Sequence, residues 1–253
     1  MEIIKSNQNK HVKNWKKLQT KKGRQASNSY LLEGWHLVNE ALSNHQIITS
    51  ILVVNAEYLQ DLNLDKSVDV YLITDEIAKI ISDTQSPQGI FAVVRIDQNE
   101  TNIPKTLTGK FVLLDGLQDP GNIGTIVRTA DAAGLDGVVF GDGTVDIFNP
   151  KVVRSMQGSQ FHISLYNGNL IDWIKQFNLN KIPVYGTELN KSAVSLYDIK
   201  PGNDFALIMG NEGNGVSSEV LEMVQSVYIP MKGRAESLNV AIASGIAMFY
   251  LNK

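Results

Sequence analysis

The sequence contains no cysteine, and this absence excludes several chemistries at once. Disulfides, thiolate nucleophiles, zinc–thiolate sites and iron–sulfur clusters all depend on cysteine. Histidine is also scarce: the chain has four, at His11, His36, His45 and His162, and their positions match no common metal-ligand spacing. We therefore expect a protein that works without a metal ion.

Long apolar runs are missing as well. No run is long enough to span a membrane, and the opening segment "MEIIKSNQNKHVKNWKK" has no apolar signal core. Hydrophobic residues make up 43% of the 253 residues and charged residues 19%, which is typical of a soluble chain with one large domain or two ordinary ones. These features predict a cytoplasmic protein that does not enter membranes.

Positive charge is unevenly distributed. The formal net charge is −3, which by itself argues against a general nucleic-acid binder. Residues 1–24, however, contain eight basic residues and one acidic residue, Glu2, and such a cluster indicates RNA or another polyanion as partner. Trp15 and His11 lie within the cluster and could stack on bases, although inward packing is the simpler interpretation for Trp15.

The hydrophobic pattern divides the chain into two sections. Residues 30–96 alternate strand-like and helix-like runs and form a compact α/β unit. The polar stretch that follows has Asn, Thr, Pro and Gly without an apolar period, so we expect a linker at 98–109 between domains at 1–97 and 110–253. Regular strand–helix alternation in the second domain predicts a mostly parallel sheet with helices on both faces.

Three polar, glycine-bearing loops follow predicted strands of the second domain, at 115–124, 210–215 and 231–237. In an open α/β sheet, ligands bind at the carboxyl ends of the strands. The loop at 210–215, "GNEGNG", lacks the G-K-[ST] of a P-loop, reverses the glycine order of the dinucleotide fingerprint and carries Glu212, which would repel a phosphate. It therefore suits a neutral heterocycle or a cation, and an NTP-binding enzyme is excluded. A simple turn remains the alternative.

The other two loops carry polar residues at helix starts. Pro120-Gly121 indicates a turn and Asn122 a helix N-cap. Arg128 lies further along an otherwise apolar helix, as a surface residue or as a clamp for a phosphate or alkoxide. In the third loop we expect Ser237 to cap the final helix and Asn239 to lie in its first turn.

The segments "DPGNIGTIVRTADAAG", "LIMGNEGNGVS" and "IPMKGRAESLNVAIASGIA" resemble the three ordered motifs of the SpoU (TrmH-type) RNA methyltransferases of the SPOUT superfamily. The resemblance covers roughly residues 110–250. The N-terminal segment "YLLEGWHLVNEAL" is similar to a pattern in the ribosomal-protein-like RNA-binding domain that precedes the catalytic domain in the ribosomal RNA group.

The resemblance implies a fold, a reaction and a set of site residues. The catalytic domain should be an α/β fold with a deep trefoil knot that binds S-adenosylmethionine (AdoMet), and its active site should form across a homodimer. The implied reaction is methylation of a ribose 2′-hydroxyl in RNA, without a metal. A loop that has a carboxylate and no lysine fits AdoMet, which carries a sulfonium and no phosphate. The implied cofactor-binding residues are Thr187, Gly210, Ile229 and Leu238. The implied catalytic residues are Asn122, Arg128, Glu212, Ser237 and Asn239.

Two questions stay open from the sequence. The general base is either Glu212 or Arg128, and a guanidinium stays protonated at almost any pH, so Arg128 is better explained as a phosphate clamp and alkoxide stabiliser. The substrate is expected to be 23S ribosomal RNA, because of the extra N-terminal domain. The alternatives are a transfer RNA 2′-O-methyltransferase and a non-catalytic RNA-binding or ribosome-assembly protein. The sequence does not identify the target nucleotide.

Overall fold

The computed structural model describes residues 1–96, 103–190 and 192–253. Contacts divide the chain into two compact units, residues 1–97 with 148–162 and residues 98–147 with 163–253. The expected linker at 98–109 lies partly outside the described residues. The predicted domain bounds stay a prediction, and the two units differ from them in the segment 148–162.

The first unit is built on a five-stranded mixed sheet. Its strands are β1 (Glu2–Ile4), β2 (Ser29–Glu33), β3 (Ile48–Val53), β4 (Asp69–Ile73) and β5 (Ile90–Arg95). They lie in the order β1-β4-β3-β5-β2, in which β1, β4 and β3 run parallel and β5 is antiparallel to both β3 and β2. Its helices are α1 (Lys10–Lys17), α2 (Lys21–Ser27), α3 (Trp35–Ser43), α4 (Asp75–Ile81) and α6 (Pro150–Met156).

The helix α6 belongs to this unit although in sequence it lies between the second and third strands of the other unit's sheet. It packs against the edge strand β2. Arg154 of α6 pairs with Asp83 at 3.0 Å, and His162 pairs with Glu40 at 3.1 Å. An edge strand packed against a helix is less open to pairing with another chain.

The second unit contains a seven-stranded sheet. Its strands are β6 (Lys110–Asp115), β7 (Gly137–Phe140), β8 (Ser164–Asn167), β9 (Val184–Thr187), β10 (Val194–Ser195), β11 (Phe205–Gly210) and β12 (Gln225–Tyr228). They lie in the order β10-β12-β9-β11-β6-β7-β8, and all of these strand pairs are parallel. Its helices are α5 (Pro120–Ala132), α7 (Leu170–Leu179), α8 (Ser218–Leu221) and α9 (Val240–Leu251). The predicted α/β class with a parallel sheet is confirmed, and the trefoil knot stays a prediction.

Hydrophobic burial explains why the strands of the second unit read as continuous apolar runs. Every residue of β11 is buried, and Trp173 and Phe177 of α7 pack with Phe111 of β6 in the core below the sheet. A parallel sheet flanked by helices has no solvent-facing side, so its strands lose the polar alternation of an exposed sheet.

Two predicted helix starts were wrong. The final helix begins at Val240 with Asn239 as its N-cap, not at Ser237, because the Asn239 side chain accepts hydrogen bonds from the backbone N–H groups of Ala241 and Ile242. Asn122 is likewise not an N-cap: Asp119 caps α5 by accepting from the backbone N–H of Asn122 at 2.7 Å. In both cases the NH₂ group of the asparagine side chain faces a neighbouring polar residue: Glu212 for Asn122, and Asn122 for Asn239.

No helix among residues 1–96, 103–190 and 192–253 combines the length and the apolar character that crossing a membrane requires.

Candidate active site

The site lies where the strand order of the second unit reverses. From β6 the chain builds the sheet outwards through β7 and β8, and it later returns to place β11 on the other side of β6. The last residues of the two strands, Asp115 and Gly210, are paired in register. Their following loops therefore leave the sheet side by side, at the position where open α/β sheets bind ligands.

The loop after β11 begins at Gly210, where the neighbouring backbone leaves no space for a Cβ atom. A Cβ on Gly210 would lie 2.0 Å from the backbone carbon of Gly215 and 2.0 Å from the backbone nitrogen of Val216. Asn211 and Gly215 exchange two backbone hydrogen bonds of 2.9 Å, which close the loop. The turn therefore keeps its backbone tightly folded against the end of the sheet.

This packing predicts that Gly210→Ala is strongly destabilising. We expect the free energy of unfolding to fall by about 3 kcal/mol or more, because the new methyl group overlaps backbone atoms that cannot rotate away. Urea unfolding measures the change. The matched control is Gly213→Ala, whose Cβ would meet only the Asn211 side chain at 3.5 Å. Equal stability of the two variants would contradict the close packing at Gly210.

Three of the predicted catalytic residues form one hydrogen-bonded chain. The Glu212 carboxylate accepts from the Asn122 side-chain amide at 3.2 Å, and the Asn122 side-chain oxygen accepts from the Asn239 amide at 2.9 Å. Glu212 also accepts from the backbone N–H groups of Gln118 at 3.3 Å and Asp119 at 3.2 Å. Residues of the first two polar loops thus meet Asn239, which lies just beyond the third loop, at one point.

This network fixes the orientation of both asparagine amides. A carboxylate only accepts hydrogen bonds, so the Asn122 group that faces Glu212 is the NH₂ group. Asn239 uses its oxygen as the cap of α9, so its NH₂ group faces Asn122. In the described part of the chain each NH₂ group uses one of its two N–H donors in the network, and the second has no protein partner there.

Glu212 is held in its ionised form. Partial burial raises the pKa of its carboxyl group, but hydrogen bonds from the backbone of its own loop, the Asn122 amide and the Gln118 and Asp119 backbone outweigh burial and lower the pKa below its usual 4.5. A lowered pKa makes the carboxylate a weaker base. Its stabilising contribution is present above the usual pKa and is lost as the pH falls through the lowered value.

Glu212→Gln tests whether this carboxylate is the general base. A glutamine keeps the shape but turns an N–H donor towards groups that are donors themselves, so we expect kcat to fall about ten- to a hundredfold. Because the pKa lies below 4.5, we expect the pH–rate profile between pH 6 and 9 to keep its form in the variant. A titration step in that range that disappears with the substitution would identify Glu212 as the base.

A large cavity adjoins the network. Its volume is about 1110 Å³, and all four predicted cofactor positions line it: Thr187, Gly210, Ile229 and Leu238. Glu212, Ser237 and Asn239 line it too. The Thr187 hydroxyl donates to the Ile208 carbonyl at 3.0 Å, which orients the end of β9.

The lining of the cavity suits a cation with an apolar body. Among the described residues it includes the carboxylates of Glu188, Glu212 and Glu236 and no lysine or arginine. Apolar side chains complete the wall, including Met209 and Leu221. This composition disfavours a phosphate and fits a ligand with a positive centre and a flat heterocycle. No group of histidine and acidic side chains in the described ranges is arranged to hold a metal ion.

Arg128 lies apart from this network. It is exposed on α5 and, within the described residues, forms no ion pair. It follows Asn122 by six residues, which places it about 120° around the helix and about 9 Å along it. Within one chain the structure therefore brings together four of the five predicted catalytic residues and leaves Arg128 on another face.

Sequence reasoning missed the residues that support the network. Asn211 donates to the Gly116 carbonyl at 2.8 Å, and Thr144 both accepts from the Gly116 N–H at 3.1 Å and donates to the Leu114 carbonyl at 2.9 Å. Asn211 could have been found, because it lies in the loop that drew attention. Thr144 lies in a loop whose sequence gives no sign of this contact.

A parallel open sheet with a polar, ligand-sized site at its carboxyl edge defines an α/β ligand-binding protein of the doubly wound kind. Comparison with known proteins is more specific. Residues 109–249 match the SpoU rRNA Methylase family, and residues 9–92 match an MRM3-like substrate binding domain. The chain belongs to the SpoU rRNA methylase family.

The relatives are similar along nearly their whole length. The chain is 42% identical over 252 residues, 99% of each protein, to the 23S rRNA (guanosine(2553)-2′-O)-methyltransferase RlmP of Bacillus subtilis. An AdoMet-bound rRNA methyltransferase from Sinorhizobium meliloti superposes with a TM-score of 0.87 at 30% identity, covering 98% of this chain and 96% of that one. A putative TrmH-family RNA methyltransferase from Porphyromonas gingivalis gives 0.86 at 33% identity, with 95% and 96% covered.

Proposed function

We propose that this chain transfers a methyl group from AdoMet to a ribose 2′-hydroxyl of 23S ribosomal RNA, at a guanosine as in the Bacillus relative. The observation that carries the proposal is the hydrogen-bonded chain Glu212–Asn122–Asn239, whose two end residues line a cavity that has acidic residues and no lysine or arginine among its described residues. Membership of the SpoU rRNA methylase family supports the same reaction.

The cavity fits AdoMet in this proposal. Gly210 lets the loop fold back closely on Gly215 and Val216 at the edge of the cavity, while Ile229 and Leu238 supply apolar contacts for a flat heterocycle. When bound, AdoMet supplies an electrophilic methyl carbon on its sulfonium. The carboxylates along the cavity favour that positive charge by Coulomb attraction.

The remaining residues act on the ribose. The free N–H donors of Asn122 and Asn239 orient the 2′-hydroxyl, and Glu212 acts as a positioning residue that holds Asn122. Ser237, exposed on the cavity wall, adds a hydroxyl beside them. The 2′-oxygen forms the new bond to carbon in line with the breaking carbon–sulfur bond, and its proton leaves to solvent. Arg128 stabilises the alkoxide that develops.

We also propose that the protein acts as a homodimer in which Arg128 reaches the partner's site. The helix α9 presents an apolar stripe of Ile242 (55% exposed), Ile246 (36%) and Phe249 (56%), spaced on one face beside α5. A stripe of this kind marks a protein contact surface. Sedimentation of Ile242→Glu should show a monomer where the unchanged protein is a dimer.

Methyl transfer from tritiated AdoMet to separate RNA preparations tests the substrate. We expect incorporation into 23S ribosomal RNA that lacks the modification, and background incorporation into 16S ribosomal RNA and transfer RNA. Preferential labelling of transfer RNA would assign the chain to the transfer RNA methyltransferases instead. RNA binding without any incorporation would leave the non-catalytic assembly role.

A further inference from the structure

The first unit carries an exposed cluster of lysines that the reaction itself does not use. We call it the lysine face, and its members are Lys5, Lys10, Lys13, Lys16, Lys17, Lys21 and Lys22. All seven side chains are exposed, and none forms an ion pair within the described ranges. Seven unpaired like charges repel one another, so the face gains most from an anionic partner.

The helix α1 separates this face from the core. At 100° per residue, its four lysines lie within an arc of about 120°, and Val12 and Trp15 lie on the opposite side. Both are buried in the core of the first unit. The lysines of α1 extend about 10 Å along the helix axis, long enough to contact more than one backbone phosphate.

Charge in the first unit is separated along the chain. Residues 1–24 contain eight basic residues and one acidic residue, whereas residues 25–96 contain three basic and nine acidic residues. The second segment repels a polyanion, and residues 148–162 add only Lys151 and Arg154, of which Arg154 is paired with Asp83, so the lysine face is the main part of this unit that attracts one. The asymmetry also gives an approaching RNA one favoured orientation.

Arg24 does not belong to the face. It is 3% exposed, and its guanidinium donates to the Leu18 carbonyl at 2.9 Å, where it holds the connection between α1 and α2. Only the lysines, which are compact and strongly hydrated charges, remain for the partner.

The aromatic residues of the cluster pack against Tyr71, and Trp15 is buried. Trp15 is 5% exposed, and its ring lies 5.1 Å from the ring of Tyr71. The ring of His11 lies 5.2 Å from the same tyrosine. The stacking that the sequence suggested therefore does not fit this surface, and the lysines lack the fork geometry that reads base edges bidentately.

We propose that the lysine face binds backbone phosphates of the RNA substrate by charge alone, so that it supplies affinity without reading base sequence. The identification of the partner as RNA rests on the proposed function. Phosphate contacts fix the position of a nucleic acid on the protein, while base contacts determine which sequence is bound. Selection of the target nucleotide then has to come from other parts of the protein.

The experiment compares two triple variants of the full chain with equal change in charge. The test variant is Lys10→Gln, Lys13→Gln and Lys17→Gln. The control variant is Lys66→Gln, Lys79→Gln and Arg95→Gln, which removes three exposed positive charges of the same unit that are not members of the lysine face. Affinity for a 23S ribosomal RNA fragment is measured at several salt concentrations between 50 and 500 mM, with homopolymeric RNAs alongside.

The slope of log affinity against log salt concentration decides the outcome. We expect the slope of the test variant to be less steep by about 2 to 3, with affinity lower on the order of 100-fold near 150 mM salt for every RNA tested. The control variant should match the unchanged protein. In methyl transfer, KM for RNA should rise in the test variant while kcat at saturating RNA stays the same.

Other outcomes overturn the proposal in distinct ways. Equal slopes for both variants would remove the lysine face from RNA binding. Loss of binding to one homopolymer and not another would show that the face reads bases. Loss of binding to anionic phosphatidylserine vesicles with RNA affinity intact would assign the face to a membrane. If the unchanged protein binds RNA with a steep slope but transfers no methyl group, the proposed function fails and the phosphate-binding role stands.

Discussion

Leu238→Arg should abolish AdoMet binding, with a loss of affinity of at least about 100-fold, equivalent to about 2.7 kcal/mol. Leu238 lines the cavity in the loop between β12 and α9 and is 37% exposed. An arginine there would occupy the place where Leu238 is proposed to contact the flat heterocycle of AdoMet, and it would bring a positive charge towards the sulfonium. Isothermal titration with AdoMet measures the change.

The exposure of Leu238 makes the result interpretable. The side chain is outside the hydrophobic core, so the substitution should leave the fold intact, and circular dichroism checks that directly. The matched control is Leu179→Arg, the same chemical change at a leucine of α7 that is 76% exposed and does not line the cavity. Undiminished AdoMet binding by Leu238→Arg would place the cofactor elsewhere.

Arg128→Ala should lower kcat by about 10² to 10³ while leaving AdoMet affinity unchanged. The magnitude is that of removing one preorganised donor to a developing oxyanion. AdoMet affinity should persist because Arg128 does not line the cavity. Arg128→Lys should recover only part of the rate, because an ammonium group has the charge but not the planar fork of a guanidinium.

Subunit mixing tests which chain supplies the arginine. In a dimer of one Arg128→Ala protomer and one Leu238→Arg protomer, a site built across the interface keeps one intact copy. Random exchange of the two inactive proteins should then restore about a quarter of the activity of the unchanged protein. If Arg128 instead acted within its own chain, both sites of the mixed dimer would be defective and no activity would return.

Much of the site was predictable because its position depends on the hydrophobic patterns of strands and helices and on a few glycines. The apolar runs of β6 and β11 indicated buried parallel strands, and the polar loops after them had to emerge at one edge of the sheet. The sequence therefore placed the loops of Glu212 and Asn122 at one edge of the sheet, and the resemblance to the SpoU family put both residues in one catalytic set. The hydrogen bonds from Asn122 to Glu212 and from Asn239 to Asn122 give that expectation its atomic form.

Helix starts were less predictable because several residues in each loop can cap. Ser237 and Asn239 are both strong N-cap residues, and Asp119 and Asn122 present the same ambiguity. The choice between them depends on where the neighbouring loop permits a side chain to turn back onto the helix. For α9 this placed an asparagine, not the serine, at the cap, and left its NH₂ group aimed at Asn122.

The position of segment 148–162 lay beyond sequence reasoning for a different reason. Its helix has the length and composition of an ordinary crossover between parallel strands. Its grouping with the N-terminal residues comes from side-chain pairs distant in sequence, such as Arg154 with Asp83 and the rings of Tyr30 and Phe148 at 4.7 Å. Such pairs leave no periodic signal in the chain.

The most direct test of the account is to find the atom that receives the methyl group. Unmodified 23S ribosomal RNA is incubated with the protein and AdoMet carrying a trideuterated methyl group, then digested to nucleosides and analysed by mass spectrometry. The account predicts that the label appears on the ribose of a 2′-O-methylguanosine and that Arg128→Ala lowers the rate of its formation. Label on a base, or no label in RNA to which the protein binds, would contradict it.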